Sequence, residues 1–129
     1  MDYIVLLGRL LLGGYFLYGG YNHFRNLGML SGYAQSKGVP SASAAVAGSG
    51  ALLVIGGLSI LLGVEVVVGV IALLIFLVPV SVKMHAYWTV ADPMGRVGER
   101  VNFQKNIALA GAVLLLLAIP RPWVLSVWQ

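Results

Sequence analysis

Four long apolar stretches constrain the fold of this chain more than any other feature of its sequence. Residues 42–62 contain no charged side chain, and residues 3–21 contain a single basic one, Arg9. A third stretch covers residues 66–88, and a fourth covers residues 103–119. Because about 20 mostly apolar residues cross the hydrocarbon core of a bilayer as a helix, these stretches predict four transmembrane helices.

The composition agrees with a membrane protein. Of the 129 residues, 60% are apolar and 9% are charged, whereas soluble domains carry about 25% charged residues. This balance excludes a soluble enzyme, a disordered linker and a nucleic-acid binder. The apolar runs are continuous rather than alternating, which favours helices over strands. We therefore predict an all-α fold, an integral membrane four-helix bundle that residues 1–129 form as one domain in contact with the lipid bilayer.

The sequence lacks the signatures of several cofactors. It contains no cysteine, which excludes iron–sulfur clusters and thiol chemistry. It has no glycine-rich fingerprint for a nucleotide or a flavin, because its paired glycines lie inside the apolar stretches, where helix packing explains them. The residues by themselves assign no catalytic group.

Basic residues predict the orientation of the chain. Six of the eight lie in or beside the first and third connections, namely Arg25, Lys37, Lys83, Arg96, Arg100 and Lys105. Because cytoplasmic loops are enriched in such residues, these two connections are expected in the cytoplasm and both termini outside it. Aromatic residues that mark the outer interface are predicted at Tyr3, Trp123 and Trp128.

Local signals predict how the helices begin and end. Gly63–Val64 is expected to form a tight turn between the second and third helices, and Ser41 or Ser43 to cap the second helix. The segment 92–95 is expected to end the third helix, and Pro79 is expected to kink it.

Small and polar residues predict which helix faces meet, because helices in lipid associate through close packing and polar contacts. In the first helix, residues at spacings of three and four lie on one face: Arg9, Gly13, Phe16, Gly20 and His23. The second helix has a similar stripe: Ala42, Ala45, Ser49, Gly56, Ser59 and Gly63. Both stripes are expected to face the interior of the bundle.

Arg9 lies about two turns inside the outer boundary, where a charge needs a partner or a polar pocket. Glu65, at the start of the third helix, is expected on the same side of the membrane. One interpretation is a structural ion pair between Arg9 and Glu65, or an arginine that extends outward to the interface. The other is an anchor for an anionic or carbonyl-bearing ligand.

The two histidines, His23 and His85, end the first and third helices at the predicted cytoplasmic interface. They can hydrogen-bond the carbonyls of a quinone or ligate a haem iron, and a metal would take a third ligand from Glu99 or Asp92. Alternatively, each histidine only caps a helix end. In an ideal helix Lys83 and His85 point in nearly opposite directions, so the sequence leaves open which of them faces the core.

The polar cluster at this interface is completed by Glu99, Lys105 and Asn106. Asn106 is expected to form an interhelical hydrogen bond. Tyr21 and Trp88, which flank the two helix ends, are expected to line any pocket there.

Four motifs, taken together and in this order, resemble those of the DoxX family. They are Gly8-Arg9-Leu10-Leu11, Tyr18-Gly19-Gly20-Tyr21-Asn22-His23-Phe24, Met84-His85-Ala86-Tyr87-Trp88 and Phe103-Gln104-Lys105-Asn106-Ile107-Ala108-Leu109-Ala110-Gly111. The resemblance implies a four-span protein of the bacterial or archaeal cytoplasmic membrane. It also implies that Arg9, His23, His85, Lys105 and Asn106 occupy the family's marked polar positions.

Relatives in this family include a subunit of a thiosulfate:quinone oxidoreductase, and others are linked to redox defence. The chain departs from many of them at Ser49-Gly50-Ala51-Leu52, which is uncharged where those relatives carry an acidic residue. If that acid takes part in proton or quinone chemistry in the relatives, this chain lacks it.

Two functions follow as expectations. The first is a membrane subunit of a quinone-linked oxidoreductase, with the quinone headgroup held near the cytoplasmic helix ends by His23, His85 and Asn106, together with Lys105, and lined by Tyr21 and Trp88. The second is a non-catalytic accessory subunit packed against a larger respiratory, photosynthetic or transport complex. The expected partners are other subunits or further copies of this chain. A small transporter that uses Arg9 and Glu65 is a third interpretation, although no inverted repeat is visible.

Overall fold

The computed structural model describes residues 1–127, and these residues form helices joined by short connections. The helices are α1 (Asp2–Arg25), α2 (Leu27–Ser36), α3 (Ala42–Leu62), α4 (Val66–Met84) and α5 (Pro93–Leu115). Single 3-10 turns follow α4 at Tyr87–Thr89 and α5 at Leu116–Ala118. Trp128, predicted at the outer interface, lies outside the described residues.

Four segments are long and apolar enough to cross a membrane: Asp2–Arg25, Ala42–Leu62, Val66–Thr89 and Pro93–Ala118. The all-α fold with four spans is therefore confirmed, and the chain is a multi-pass membrane protein. The predicted limits of the second span match α3 at both ends. The tight turn is confirmed as well, because Gly63 ends α3 in the left-handed region with a φ of 71°.

Two parts of the predicted element order are wrong. The first connection, predicted as a polar loop, contains the helix α2. The fourth helix begins at Pro93 rather than near Phe103, because Asp92 caps it: the amide of Gly95 donates to Asp92 Oδ2 at 2.7 Å, and Pro93 occupies the first turn. Segment 92–95 thus starts α5 and does not end α4, which stops at Met84.

Antiparallel α1 and α3 approach closely through paired glycines. A Cβ atom on Gly57 would lie 2.9 Å from the backbone nitrogen of Leu17 and 3.0 Å from the carbonyl oxygen of Gly13. About two turns beyond Gly13 on α1, a Cβ on Gly20 would lie 3.1 Å from the carbonyl oxygen of Gly50. The predicted inner face of α1 is confirmed, since its buried residues are Arg9, Gly13, Phe16 and Gly20.

The predicted inner face of α3 is only partly correct. Gly56 and Ser59 are buried, but they face α4, where a Cβ on Gly56 would meet Leu73 and one on Gly69 would meet Ser59. The face toward α1 consists instead of Gly50 and Gly57. Ala42, Ala45 and Ser49 are only partly buried. Because α3 lies between two neighbours, it needs small residues on two faces.

The helices pack in the order α1, α3, α4, α5, and α2 packs against α3. The buried core runs along the row and includes Phe16, Leu53, Ile60, Leu73, Leu77 and Val113. Within the described residues, α1 and α5 share no extended helix–helix interface. The two outer helices of the row are therefore separated at the end of the bundle where α2 lies, and a cavity occupies that space.

Candidate functional site

A cavity of about 550 Å³ lies among all five helices. Its apolar walls include Phe16, Leu53, Phe76 and Pro79. Its polar lining comes from the ends of α1 and α4, the start of α3 and the middle of α5: Asn22, His23, Ser49, Lys83, His85, Lys105 and Asn106. Four of the six predicted cofactor-binding residues are thus brought together, namely His23, His85, Lys105 and Asn106.

The cavity opens toward the lipid-facing surface. Tyr15, Tyr18 and Ile75 line it, and each of them is also exposed. Tyr15 and Tyr18 belong to α1, and Ile75 belongs to α4. Lys83 of α4 and Lys105 of α5 also line the cavity and are exposed, so its mouth lies between α1 on one side and α4 and α5 on the other. An amphiphilic molecule can enter from the bilayer and place its polar group inside.

His23 is held in a defined orientation. Its Nδ1 lies 2.8 Å from the carbonyl oxygen of Gly19, and its ring packs edge-on against Phe76 with the centroids 5.6 Å apart. A carbonyl only accepts hydrogen bonds, so Nδ1 carries the proton. Within residues 1–127, Nε2 has no hydrogen-bond partner. It can accept a hydrogen bond from a ligand in the neutral ring and donate one in the imidazolium.

Asn106 is the most buried polar residue of the cavity lining, with 6% of its surface exposed. The predicted interhelical hydrogen bond of its amide is not formed by any described residue. Buried amides are costly unless they are hydrogen-bonded. The donor and acceptor atoms of Asn106 are therefore available to a molecule in the cavity.

Lys83 and His85 both line the cavity, which answers the question that the sequence left open. Because α4 ends at Met84, His85 leaves helical geometry, with a φ of −115°, and turns to the same side as Lys83. The Lys83 ammonium lies beside Gly38, 3.6 Å from the position of a Cβ there. Within the described part of the chain, neither Lys83 nor Lys105 has an ion-pair partner.

Glu99 connects three segments beside the cavity. Its Oε2 lies 2.6 Å from His85 Nδ1, and its Oε1 accepts a hydrogen bond from Tyr33 at 2.6 Å and lies 3.7 Å from Lys37 Nζ. Burial raises the pKa of Tyr33 to about 12, and the hydrogen bond and charge of Glu99 add to this. Tyr33 therefore stays protonated at neutral pH and donates to the carboxylate. Sequence reasoning missed Tyr33 and Lys37, because α2 was not predicted.

Tyr21 and Trp88 do not line the cavity, contrary to prediction. Tyr21 follows Gly20, which faces α3, so its own side chain points away from the bundle and packs near Tyr18. Trp88 lies in the 3-10 turn after α4 and packs edge-on against Tyr87 and Phe103. Both are largely exposed. Tyr15, Phe16 and Phe76 supply aromatic surface in the cavity instead.

The predicted ion pair between Arg9 and Glu65 is not formed. Arg9 is 3% exposed, and its guanidinium donates to the carbonyl oxygens of Ile60 at 3.1 Å, Leu61 at 2.8 Å and Val124. Ile60 and Leu61 are in the last turn of α3, whose carbonyls have no partner within the helix and carry partial negative charge. These carbonyls satisfy Arg9, while Glu65 is exposed.

Trp123 is buried within the protein, and its position at the outer interface stays a prediction. Its ring lies 5.8 Å from the Arg9 guanidinium carbon, and the residue is 2% exposed. Arg9 thus joins α1, α3 and the segment after α5 far from the cavity. Its geometry is that of a structural residue.

No group of three or more His, Asp or Glu side chains able to hold a metal ion occurs in residues 1–127. Haem ligation stays a prediction from the sequence.

Comparison with known proteins adds the family. No curated protein and no solved structure matches the chain significantly. A family model described as DoxX matches residues 4–86. The match covers α1 to α4 with Arg9, His23 and His85, and it ends before α5, which contributes Glu99, Lys105 and Asn106. The chain belongs to the DoxX family.

Proposed function

We propose that this protein binds the headgroup of an isoprenoid quinone in the cavity and serves as a membrane subunit of a quinone-linked redox system. The observation that carries the proposal is Asn106: the residue is nine-tenths buried and lines the cavity, and its amide has no hydrogen-bond partner among residues 1–127. Through the mouth, between α1 on one side and α4 and α5 on the other, a quinone dissolved in the bilayer would reach this amide.

The donors suit the shape of a quinone ring. Such a ring has carbonyl oxygens on opposite edges, and the cavity offers His23 from α1 and Asn106 from α5, the two outer helices of the row. His85 and Lys105 are further donors in the same lining. Hydrogen bonds to these oxygens stabilise the negative charge that develops on reduction. Phe76, which is partly exposed, supplies apolar surface for the ring.

Electrons have to come from a partner protein. The chain contains no cysteine and no nucleotide or flavin signature, so it offers no second redox centre of those kinds. The quinone-binding subunit would therefore act within a complex, in which another protein carries the electron donor.

A second candidate is a non-catalytic accessory subunit. Its support comes from Ser49, which lines the cavity in the segment where many members of the family carry an acid. Without that acid the cavity wall lacks a carboxylate to exchange protons with a bound quinone. In this alternative the bundle packs against a larger membrane complex and the cavity holds lipid.

The first test measures quinone in protein purified from its native membrane in mild detergent. Organic extraction of the wild type is expected to yield bound quinone. Asn106→Leu and His23→Ala should each lower the quinone content by about tenfold, because each removes a hydrogen bond inside a desolvated site. Tyr21→Phe and Trp88→Phe are matched controls outside the cavity and should retain quinone.

Two outcomes would contradict the proposal. One is a wild type that carries phospholipid but no quinone and co-purifies with a stoichiometric membrane complex, which is the result expected of an accessory subunit. The other is quinone retention in Asn106→Leu that equals that of Tyr21→Phe, since the quinone would then lie elsewhere.

A further inference from the structure

We propose that Lys83 and Lys105 form a cationic site for the phosphate of an anionic phospholipid at the mouth of the cavity. This site shares Lys105 with the lining of the proposed quinone site but does not include the quinone donors His23 and Asn106, and it goes beyond the quinone function. The lipid would place its headgroup at the two ammonium groups and its acyl chains along the exposed apolar surface beside Tyr18 and Ile75.

The charge balance of the cavity is the first argument. Its ionisable lining consists of three tyrosines and of groups that are cationic or can become so: Tyr15, Tyr18 and Tyr33, with His23, Lys83, His85 and Lys105. Among residues 1–127, no carboxylate lines the cavity. The nearest acid in the cluster, Glu99, is already engaged by His85, Tyr33 and Lys37. The two lysines therefore present uncompensated positive charge to whatever enters.

The depth of Lys105 is the second argument. His85 and Glu99 are in contact where α4 has ended, and Lys105 follows Glu99 by six residues, which is about 9 Å along the helix axis. Lys105 also lies inside Pro93–Ala118, one of the segments that are long and apolar enough to cross a membrane. A charged side chain at such depth is costly unless it reaches the headgroup region or finds a partner. A lipid phosphate beside Lys105 and Lys83 would give this charge a partner of opposite sign that belongs to the headgroup region.

The position of Lys83 is the third argument. Its ammonium lies beside Gly38, in the connection between α2 and α3, so it reaches across the end of the cavity. Both lysines are exposed as well as lining the cavity. A headgroup can reach them from the lipid, whereas an inorganic phosphate gains nothing from the exposed apolar surface of the mouth. The geometry therefore favours a phospholipid over the free ion.

The test is retention of added lipid, measured by native mass spectrometry of detergent-purified protein with equal amounts of phosphatidylglycerol and phosphatidylcholine. The wild type should prefer phosphatidylglycerol. Lys83→Gln should lower this preference by about fivefold, and Lys83→Gln with Lys105→Gln should abolish it. Lys83→Arg keeps the positive charge and should therefore retain the wild-type preference for phosphatidylglycerol. The control Arg25→Gln changes an exposed basic residue outside the cavity and should leave the preference unchanged.

Equal loss of preference in Arg25→Gln and Lys83→Gln would overturn the proposal, because the effect would then be one of overall charge. Displacement of phosphatidylglycerol by millimolar inorganic phosphate would show that the site takes the free ion. Quinone content in the same samples separates the two proposals: Lys83→Gln should keep quinone and lose lipid preference, and Asn106→Leu should do the reverse.

Discussion

Within residues 1–127, three backbone carbonyls accept hydrogen bonds from the guanidinium of Arg9, and no carboxylate does. Two of them, from Ile60 and Leu61, belong to the open end of α3, and the third, from Val124, belongs to the segment that follows α5. The backbone amide of Val127 also donates to the carbonyl of Leu62 at 3.0 Å. The arginine therefore caps one helix and fixes the C-terminal segment against it.

Replacing Arg9 is expected to loosen this end of the molecule. Arg9→Gln should lower the free energy of unfolding by about 2 kcal/mol, because it leaves buried carbonyls without a charged donor. The melting temperature in detergent measures this, with Arg121→Gln as an exposed basic control. The emission of Trp123, recorded in a background without Trp88 and Trp128, should shift to the red. An unchanged melting temperature and spectrum would show that Arg9 does not hold the segment.

At the residue scale, it was easier to predict which side chains are buried than which groups they hydrogen-bond. The three- and four-residue spacing in α1 identified the buried face that contains Arg9 and Phe16, because helical periodicity depends on α1 alone. The partner of Arg9 depends on where α3 ends and on how the C-terminal segment folds back, and neither is encoded near Arg9 or Glu65. Trp88 was misplaced for a similar reason, since its direction is set by the 3-10 turn after α4.

At the element scale, α1 and α3 are held together by close backbone approach. Gly13 lies opposite Gly57 and Gly20 opposite Gly50, so the interface has glycine on both helices at each contact. In lipid, where apolar side chains gain little by leaving the solvent, such contact is a main source of helix association.

A methyl group in this interface is expected to be destabilising. Gly57→Ala would place Cβ 2.9 Å from the backbone nitrogen of Leu17, which cannot move without shifting α1, and should cost roughly 1–3 kcal/mol. Gly48→Ala is the matched control on the same helix, since a Cβ there meets nothing within 4 Å. Thermal unfolding of both variants in detergent decides the matter. Equal melting temperatures would mean that the two helices adjust freely.

The helix limits show where the sequence signal was sufficient. The limits of α3 followed from its uncharged run and the Gly63–Val64 turn. The start of α5 differs from the prediction because the clean apolar run begins only near Phe103. Asp92 followed by Pro93 is nevertheless a local start signal, since an N-cap residue before proline favours a helix start without any tertiary contact. The short helix α2 has no comparable signal, and its position depends on packing against α3 and on the bond from Tyr33 to Glu99.

At the scale of the whole molecule, the open row of helices creates the cavity. Because α1 and α5 do not close against each other, residues far apart in sequence, such as His23 and Asn106, line one space. The sequence predicted four polar residues of this site, namely His23, His85, Lys105 and Asn106, but not its walls. The walls depend on the separation of two helices, which no single helix pattern contains.

The orientation of the molecule remains a prediction from its basic residues, and the absence of cysteine makes it simple to test. A single cysteine at Asp2 should react with a membrane-impermeant maleimide added outside intact cells. One at Gln35, which is exposed on α2, should react only after permeabilisation. The unmodified chain serves as the blank. The opposite labelling pattern would invert the assignment of both termini.

The two glycine faces of α3 make this helix sensitive to changes in length. Deleting one residue from its centre would rotate everything beyond the deletion by about 100°. Gly57 would then no longer face α1, and Gly56 would no longer face α4, so one deletion would disrupt both interfaces. The same deletion near the end of α5, which has one neighbouring span, would misalign one contact surface. Natural length variation should therefore be rare in the middle of α3 and more common toward the ends of the chain.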